Sequence, residues 1–218
     1  MKFKRYATAI AAASLSVSSM AAVVLSESFD NVVALAGAEW VQVNNSTVVG
    51  SAYFQGNSGI FPSAAGALDS YIGADFLSGF GTISNWLIAP TINLAATLSV
   101  GYMARVAGAG FRDTIEVWLS TNGASSNIAD FTTLLGSYSS DQDQGWVAQS
   151  LQFASAPGGQ GRVAFRYFVA DTNTGGNYIG IDSLLVSTTG SVPVPEPATW
   201  ALAGLAIAGL ALSRRPRA

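Results

Sequence analysis

Residues 113–120, Asp-Thr-Ile-Glu-Val-Trp-Leu-Ser, decide the fold class of this chain. Apolar side chains alternate with polar or amphipathic ones, the first set being Ile115, Val117 and Leu119 and the second Thr114, Glu116 and Trp118. Successive side chains of a β-strand point to opposite faces, so this pattern predicts a strand with one face in a core. The Thr121-Asn122-Gly123 sequence that follows is typical of a turn between two strands.

The same alternation recurs between Ala22 and Val194, where no apolar pattern with a helical period appears. We therefore expect an all-β, antiparallel sandwich, with helix confined to the two terminal segments. The predicted strands are 23–29, 40–43, 70–76, 85–90, 97–106, 113–120, 146–153, 162–170 and 178–187. The predicted core contains Trp40, Trp86, Val117, Phe153, Phe165 and Ile181.

Residues 48–68 are irregular and rich in glycine, and they carry three aromatic side chains, Tyr53, Phe54 and Phe61. Two interpretations are open. The aromatic rings either pack into the core or form an exposed platform for a ligand.

Composition excludes several classes of function. The chain has no cysteine and no histidine, which removes disulfides, Ser-His-Asp catalysis and the usual zinc sites. Residues 22–194 hold four arginines, no lysine and twelve acidic residues, a net charge of −8. Nucleic acid is therefore not expected as a partner, because phosphate binding needs a basic surface. Divalent cations and neutral glycans remain compatible with this charge.

The first 21 residues have the three parts of a secretory signal peptide. Lys2, Lys4 and Arg5 form a basic start, residues 7–17 are apolar and small, and Ser19-Met20-Ala21 fits a cleavage site. We expect signal peptidase to cut here, so that the mature chain begins at Ala22. An uncleaved N-terminal anchor is the alternative.

The tail has a proline-framed acid, a short apolar run and a basic end. Pro195 and Pro197 flank Glu196 and keep the backbone extended, so that a protease can reach it. The residues from Ala198 to Leu212 carry no charge. They are expected to form a weak membrane helix, because a full span needs about 20 residues. The basic end, predicted to stay on the cytoplasmic side, is Arg214, Arg215 and Arg217.

Two interpretations of this tail are open. The first is an ordinary membrane helix behind a proline-rich linker. The second is a sorting signal, because the order of its parts over residues 194–217 resembles the PEP-CTERM signal. That resemblance implies removal of the tail by an exosortase, a membrane protease, during export. It also implies an association with extracellular polysaccharide.

Four segments of the exported part resemble the choice-of-anchor J family, which is similar to cleaved-adhesin and MAM domains. They are Asn-Trp-Leu-Ile-Ala-Pro at 85–90, Leu-Ser-Val at 98–100, residues 113–120 and Tyr-Ile-Gly-Ile-Asp at 178–182. The resemblance implies a two-sheet jelly roll that binds or displays and does not catalyse. It also implies that a structural Ca²⁺ is common in related domains.

Three acidic sets are candidates for Ca²⁺, which is bound by six to eight oxygen atoms. Asp171 and Asn173 alternate in one glycine-rich loop, and Asp141 and Asp143 alternate in another. For both loops the alternative is a solvated turn. The third set lies on the predicted first and last strands, which are often close in a jelly roll: Glu27, Asp30 and Asp182. Arg166 is the alternative partner for Asp182.

An enzyme built from this composition would depend on carboxylates, as in glycoside hydrolysis. No pair among Glu39, Asp69, Asp75, Asp113 and Glu116 is singled out, and the odd spacing of the last two puts them on opposite faces of a strand. The prediction is therefore a non-enzymatic cell-surface or extracellular-matrix protein with a structural, adhesive or glycan-binding role. The alternative is a carboxylate-based polysaccharide hydrolase.

The predicted organisation has four parts. They are a signal peptide at 1–21, a jelly-roll domain at 22–187, a linker at 188–194 and the sorting signal with its short transmembrane helix at 195–218. The chain is expected to be held briefly at the inner membrane and then to reach the cell surface or the extracellular space.

Overall fold

The computed structural model describes residues 22–95, 97–154 and 158–188, which form fourteen strands and three short 3-10 helices. The helices are Val32–Ala38, Phe76–Ser78 and Ile128–Asp130. The strands are β1 (Val23–Glu27), β2 (Val41–Asn44), β3 (Val48–Val49), β4 (Phe54–Gln55), β5 (Ile72–Asp75), β6 (Gly79–Phe80), β7 (Ile83–Ile88), β8 (Ile92–Asn93), β9 (Thr97–Val106), β10 (Asp113–Ser120), β11 (Thr133–Ser140), β12 (Val147–Ala154), β13 (Gln160–Val169) and β14 (Tyr178–Thr188).

Two antiparallel sheets pack face to face, as the alternation predicts. The front sheet has the order β12-β9-β14-β5-β4, and β1 pairs with the second half of β14. The back sheet has the order β11-β10-β13-β7-β2, and β8 pairs with the start of β13. A separate two-stranded ribbon consists of β3 and β6.

The core lies between the two sheets and is built from every second residue of the long strands. β9 and β10 alternate between buried and half-buried positions along most of their length. Tyr102 of β9 and Phe165 of β13 meet across the core edge to face, with ring centroids 5.0 Å apart. Trp40, Val117, Phe153 and Ile181 also belong to this core, and all six residues of the predicted core are buried.

Trp86 is buried, but on the other side of the back sheet. Leu87 takes the core-facing position, and Trp86 therefore points outward into a second cluster with Ile88, Phe131 and Ala164. Trp86 is therefore buried as predicted, but in a second core cluster on the outer face of the sheet, which a loop carrying Phe131 covers. A strand buried on both faces has no clean alternation from which its inner face can be chosen.

The outer face of the front sheet is covered in the same way. Phe61, Tyr71 and Tyr178 form a buried aromatic cluster, and Trp146 packs against it while donating from Nε1 to the carbonyl oxygen of Pro62 at 2.8 Å. Since Tyr53 is also buried, the aromatic side chains of residues 48–68 serve mainly in packing. This outcome supports the core interpretation over the exposed platform.

One expectation about secondary structure was wrong. Helix is not confined to the terminal segments, because Asn31 caps a 3-10 helix by accepting a hydrogen bond from the Ala34 N–H at 3.2 Å. β14 continues through Thr188, one residue beyond the predicted strand. Within the described part of the chain, no helix is long and apolar enough to cross a membrane. The predicted terminal helices lie outside the described residues.

Candidate functional site: the Phe168 cleft

The uncovered part of the back sheet presents a strip of polar and aromatic side chains. On β10 the outward positions are Thr114 and Glu116, and on β13 they are Arg166 and Phe168. The strand register places Glu116 opposite Arg166 and Thr114 opposite Phe168. The alternation of two neighbouring strands therefore builds this strip.

Arg166 is fixed from four directions. Its Nη1 lies 3.1 Å from Oε2 of Glu116, and its Nε donates to Oγ of Ser84 at 2.9 Å. The centre of the guanidinium is 4.3 Å from the Phe168 ring centroid and 5.4 Å from the Trp86 ring. Such cation–π contacts add to the ion pair, so the arginine holds Phe168 and Glu116 in place.

At one end the strip opens into a cleft of about 250 Å³, here called the Phe168 cleft. It is lined by Arg112, Thr114, Phe168, Val169, Ala170, Asp171, Thr174 and Gly175. Arg112 is exposed and its Nη2 lies 3.2 Å from Oδ2 of Asp141. The cleft thus combines an aromatic ring with a guanidinium, a carboxylate and two hydroxyl groups.

Asp171 shapes the rim of the cleft. Its Oδ1 accepts hydrogen bonds from the backbone N–H of Asn173 at 2.9 Å and from the Asn173 side chain at 2.8 Å. Its backbone oxygen accepts from the N–H groups of Thr174 and Gly175. These hydrogen bonds form a turn, which was the predicted alternative to a calcium site in this loop. Asp171 is exposed and lines the cleft, where its carboxylate can accept from a hydroxyl group.

The structure does not bring the proposed trio of Glu27, Asp30 and Asp182 together. Within the described residues, no three acidic side chains form a group that could hold a metal ion. Glu27 accepts from the Phe29 N–H at 2.8 Å, and Asp30 accepts from Ser28 Oγ at 2.9 Å. Hydrogen bonds from Ser70 and Ser28 lower the pKa of Asp30. Each carboxylate is thus used locally.

Asp182 is fully buried and has an unexpected partner. Its Oδ2 accepts hydrogen bonds from the backbone N–H groups of Ala64 and Ala65, at 2.9 and 3.1 Å. Burial raises the pKa of Asp182, and these hydrogen bonds oppose the shift. The sequence offered Arg166 or a metal as the partner of Asp182. Arg166 is not that partner, because it points outward to Glu116, while a surface loop delivers its amides to Asp182. Metal binding at Asp182 stays a prediction.

The carboxylates of the loop that contains Asp141 and Asp143 are also paired with protein side chains. Asp143 binds Arg105 through two hydrogen bonds of 3.0 and 2.8 Å, which lower the pKa of the carboxyl. Asp141 pairs with Arg112. Calcium binding at Asp171 and Asn173 stays a prediction.

Two of the carboxylates considered for catalysis, Asp113 and Glu116, are separated by the sheet. Asp113 is fully buried on the core side, where its Oδ1 accepts from Tyr167 Oη at 2.7 Å and from the Asn177 N–H at 2.8 Å. Burial raises the pKa of Asp113 to about 6. Glu116 lies on the outer face in its ion pair with Arg166. The expectation that these two acids occupy opposite faces is confirmed.

Sequence reasoning named only two of the residues that line the cleft, Asp171 as a calcium candidate and Thr114 as an outward strand position. Arg112 and Thr174 lie outside the long alternating runs, and the structure places both beside Phe168. The available signal was the alternation of residues 162–170, which puts Arg166 and Phe168 on the face opposite Phe165 and Tyr167. Neighbouring strands with such outward side chains indicate a surface site only once their pairing is known.

Comparison with known proteins identifies the tail. Residues 193–215 match the PEP-CTERM protein-sorting motif. The match includes Pro195, Glu196 and Pro197 together with Arg214 and Arg215, and Arg217 lies two residues beyond it. This motif marks the chain for export through an exosortase-type system, with its C-terminus anchored in the membrane. These residues lie outside the part that the structure describes.

Solved structures show the same fold as the sandwich. The K1 cleaved adhesin domain of Lys-gingipain from Porphyromonas gingivalis W83 matches with a TM-score of 0.57 and 20% identity, over 76% of this chain and 98% of that one. The K3 cleaved adhesin domain of the same protein gives a TM-score of 0.55 and 18% identity, over 77% and 98%. A search of curated proteins found no match by sequence.

Proposed function

We propose that this chain is a non-enzymatic binding module that is exported, sorted by its tail, and displayed at the cell surface or in the extracellular matrix. Its ligand is a neutral glycan bound at the Phe168 cleft. One observation carries the proposal: an aromatic ring lies beside carboxylate, guanidinium and hydroxyl groups in a cleft that suits a small polar unit. An apolar ring face with polar groups around it is complementary to a sugar.

Sorting by an exosortase follows from the motif at 193–215. We extend this to a signal peptide at 1–21, cut by signal peptidase, and to a short transmembrane helix within 195–218. We also propose that the sandwich is a jelly roll of the choice-of-anchor J type. The likeness to cleaved adhesin domains supports its fold, and the order of its segments along the chain supports the narrower family.

The alternative, a polysaccharide hydrolase, needs two carboxyl groups about 5–10 Å apart around a sugar linkage. Asp171 is the carboxylate among the residues that line the Phe168 cleft. Glu116 is held by Arg166 and by Nε1 of Trp118 at 2.9 Å, which leaves it poorly placed to transfer a proton. A binding role therefore fits the cleft better than a hydrolytic one.

The test is electrophoresis of the full chain through gels that contain a neutral polysaccharide, with galactan, xylan and hydroxyethylcellulose compared to a gel without polymer. We expect retardation by at least one polymer. Phe168→Ala should weaken it roughly tenfold, or about 1.4 kcal/mol, because the stacking surface is lost. Leu68→Ala is the control, since Leu68 is exposed and lies outside the cleft.

Unchanged retardation of Phe168→Ala would contradict the assignment of the cleft. Wild-type mobility that is equal in all gels would contradict glycan binding, and release of reducing sugar from any polymer would favour the hydrolase.

A further inference from the structure

The chain segments that form the Phe168 cleft meet behind it at one buried carboxylate, that of Asp113. They are the region where β10 begins, the end of β13 and the turn that follows β13. Their lining residues are Arg112 and Thr114, then Phe168, Val169 and Ala170, and then Asp171, Thr174 and Gly175. Asp113 lies between the two β10 residues of the cleft, but it is 0% exposed and faces the core. It is therefore behind the cleft and out of reach of a ligand.

Asp113 holds the aromatic wall of the cleft through the hydroxyl group of Tyr167. Tyr167 Oη donates to Asp113 Oδ1 at 2.7 Å, and both side chains are 0% exposed. Hydrogen bonds to an ionised carboxylate are stronger than those between neutral groups. Phe168 is the next residue of β13, and it lies opposite Thr114 in the strand register. The hydrogen bond to Asp113 therefore fixes the point on β13 from which Phe168 projects.

The same oxygen atom holds the turn that forms another wall of the cleft. Asp113 Oδ1 also accepts from the backbone N–H of Asn177 at 2.8 Å, and Asn177 follows Gly175 by two residues. Between them, the Gly176 N–H donates to Arg112 O at 3.1 Å. Because Oδ1 of Asp113 is shared with the tyrosine hydroxyl, it joins the turn to the aromatic wall.

The turn packs against its neighbours through bare backbone. A Cβ added to Gly175 would lie 3.0 Å from Arg112 O, and one added to Gly176 would lie 3.5 Å from Tyr167 Oη. Glycine has no side chain that could repack if a neighbouring group moved. A shift in the position of the Asp113 carboxylate would therefore displace the turn itself, and with it one wall of the cleft.

We infer that Asp113 is a positioning residue for the Phe168 cleft, an inference that rests on the proposed function. Through Oδ1 it sets the separation between Phe168 and the turn, and so the fit of a sugar unit between them. A cleft that already has its bound geometry loses less conformational freedom when the ligand binds. If loss of Asp113 left this geometry in only a tenth of the molecules, the apparent affinity would fall roughly tenfold.

Retardation of full-length variants in gels that contain galactan, xylan or hydroxyethylcellulose tests this inference. Asp113→Ala removes the shared acceptor and should weaken retardation roughly tenfold. Asp113→Asn keeps an oxygen that can accept from both donors, and Oδ2 of Asp113 has no partner to lose among the described residues, so retardation should match the wild type. Asp182→Ala is the matched control for destabilisation. Asp182 is equally buried and accepts from two backbone N–H groups, but it holds a loop on the front sheet, so retardation should also match.

Amide hydrogen exchange gives a second measurement that needs no ligand. Residues 174–177 should exchange faster in Asp113→Ala than in the wild type and should keep wild-type rates in Asp113→Asn. If Asp113→Ala does not fold, Tyr167→Phe replaces it, because this variant removes only the hydroxyl group that shares Oδ1. It should weaken retardation roughly threefold.

Three results would overturn the positioning role while wild-type retardation persists. They are unchanged retardation and exchange in the variant that loses the contact, a loss in Asp113→Asn as large as in Asp113→Ala, or an equal loss in Asp182→Ala. Absence of retardation in the wild type would instead overturn the proposed function, and the role of Asp113 with it.

Discussion

Two buried carboxylates show how differently a single charge can be accommodated. Asp182 accepts two backbone N–H groups through one oxygen, which ties a surface loop to β14. Asp113 has two donors on Oδ1, but its buried Oδ2 has no hydrogen-bond partner among the described residues. A buried oxygen without a donor penalises the ionised form, because water solvated it in the unfolded chain. Asp113 is therefore the less stable of the two anions.

The first prediction concerns Asp113 and pH. Its pKa rises from 3.8 to about 6 on folding, so the folded protein binds the proton more tightly. The stabilisation is fully present below pH 3.8 and is lost as pH rises through about 6. Relative to Asp113→Asn, the wild type should lose on the order of 2–3 kcal/mol of unfolding free energy between pH 4 and pH 7. Urea unfolding at both pH values measures this difference.

A control of opposite sign is available in Asp130. Hydrogen bonds from Ser125 and Asn122 lower the pKa of this exposed carboxyl, so its stabilising effect is lost as pH falls. Asp130→Asn should therefore abolish a small decrease in unfolding free energy that the wild type shows as pH falls. A constant free-energy difference between wild type and Asp113→Asn across this pH range would contradict the assignment for Asp113.

At the scale of strands, the alternation of apolar and polar residues predicted the strands that have one face in the core. The bounds of β9 and β10 agree with the predicted ranges 97–106 and 113–120, because both strands have one core face and one outer face. β11 was not predicted. It is the edge strand of the back sheet, most of its side chains are exposed or half-buried, and its pairing with β10 is interrupted by an irregularity. Because β11 lacks a consistently buried face, its sequence does not alternate between apolar and polar residues.

The candidate site was less predictable than the strands, for a related reason. The outward positions of Glu116 and Arg166 follow from alternation, but their contact depends on β10 and β13 being neighbours. These strands are separated by β11 and β12 in the chain, and local sequence does not encode that order. Trp86 shows the same limit, because its burial on the outer face depends on tertiary neighbours such as Phe131 and Trp118.

A prediction at this scale uses two glycines of the front sheet. A Cβ at Gly180 on β14 would lie 2.8 Å from the Trp146 ring, 2.9 Å from Phe61 and 3.0 Å from Tyr71. Gly180→Ala should therefore destabilise the protein by roughly 1–3 kcal/mol through overpacking of the aromatic cluster. Thermal unfolding followed by tryptophan fluorescence measures the change.

Gly101 on β9 provides the control. A Cβ there would meet nothing closer than 3.8 Å, so Gly101→Ala should be neutral or slightly stabilising. Equal melting temperatures for the two variants would show that the cluster at Gly180 is not tightly packed.

At the scale of the whole molecule, the sorting motif in the tail directs the export of the domain. Replacing Glu196 by Ala leaves both prolines in place and removes the acid of the sorting motif. We expect this variant to accumulate as an unprocessed, membrane-retained chain that is larger than the released wild-type form. Fractionation with mass spectrometry of the chain termini measures this, and Glu39→Ala serves as a control outside the motif. Release of Glu196→Ala at wild-type length would rule out recognition through this residue.

The position of β14 has a mechanical consequence for a tethered protein. The chain leaves the domain from Thr188, and β14 is the middle strand of the front sheet, with β9 on one side and both β5 and β1 on the other. Tension between the far end of the domain and its C-terminus would run along this strand. The ladders on both sides would then be sheared together, and their hydrogen bonds would have to fail collectively. An edge strand in the same place would unzip one bond at a time, so the topology suits a domain that resists pulling.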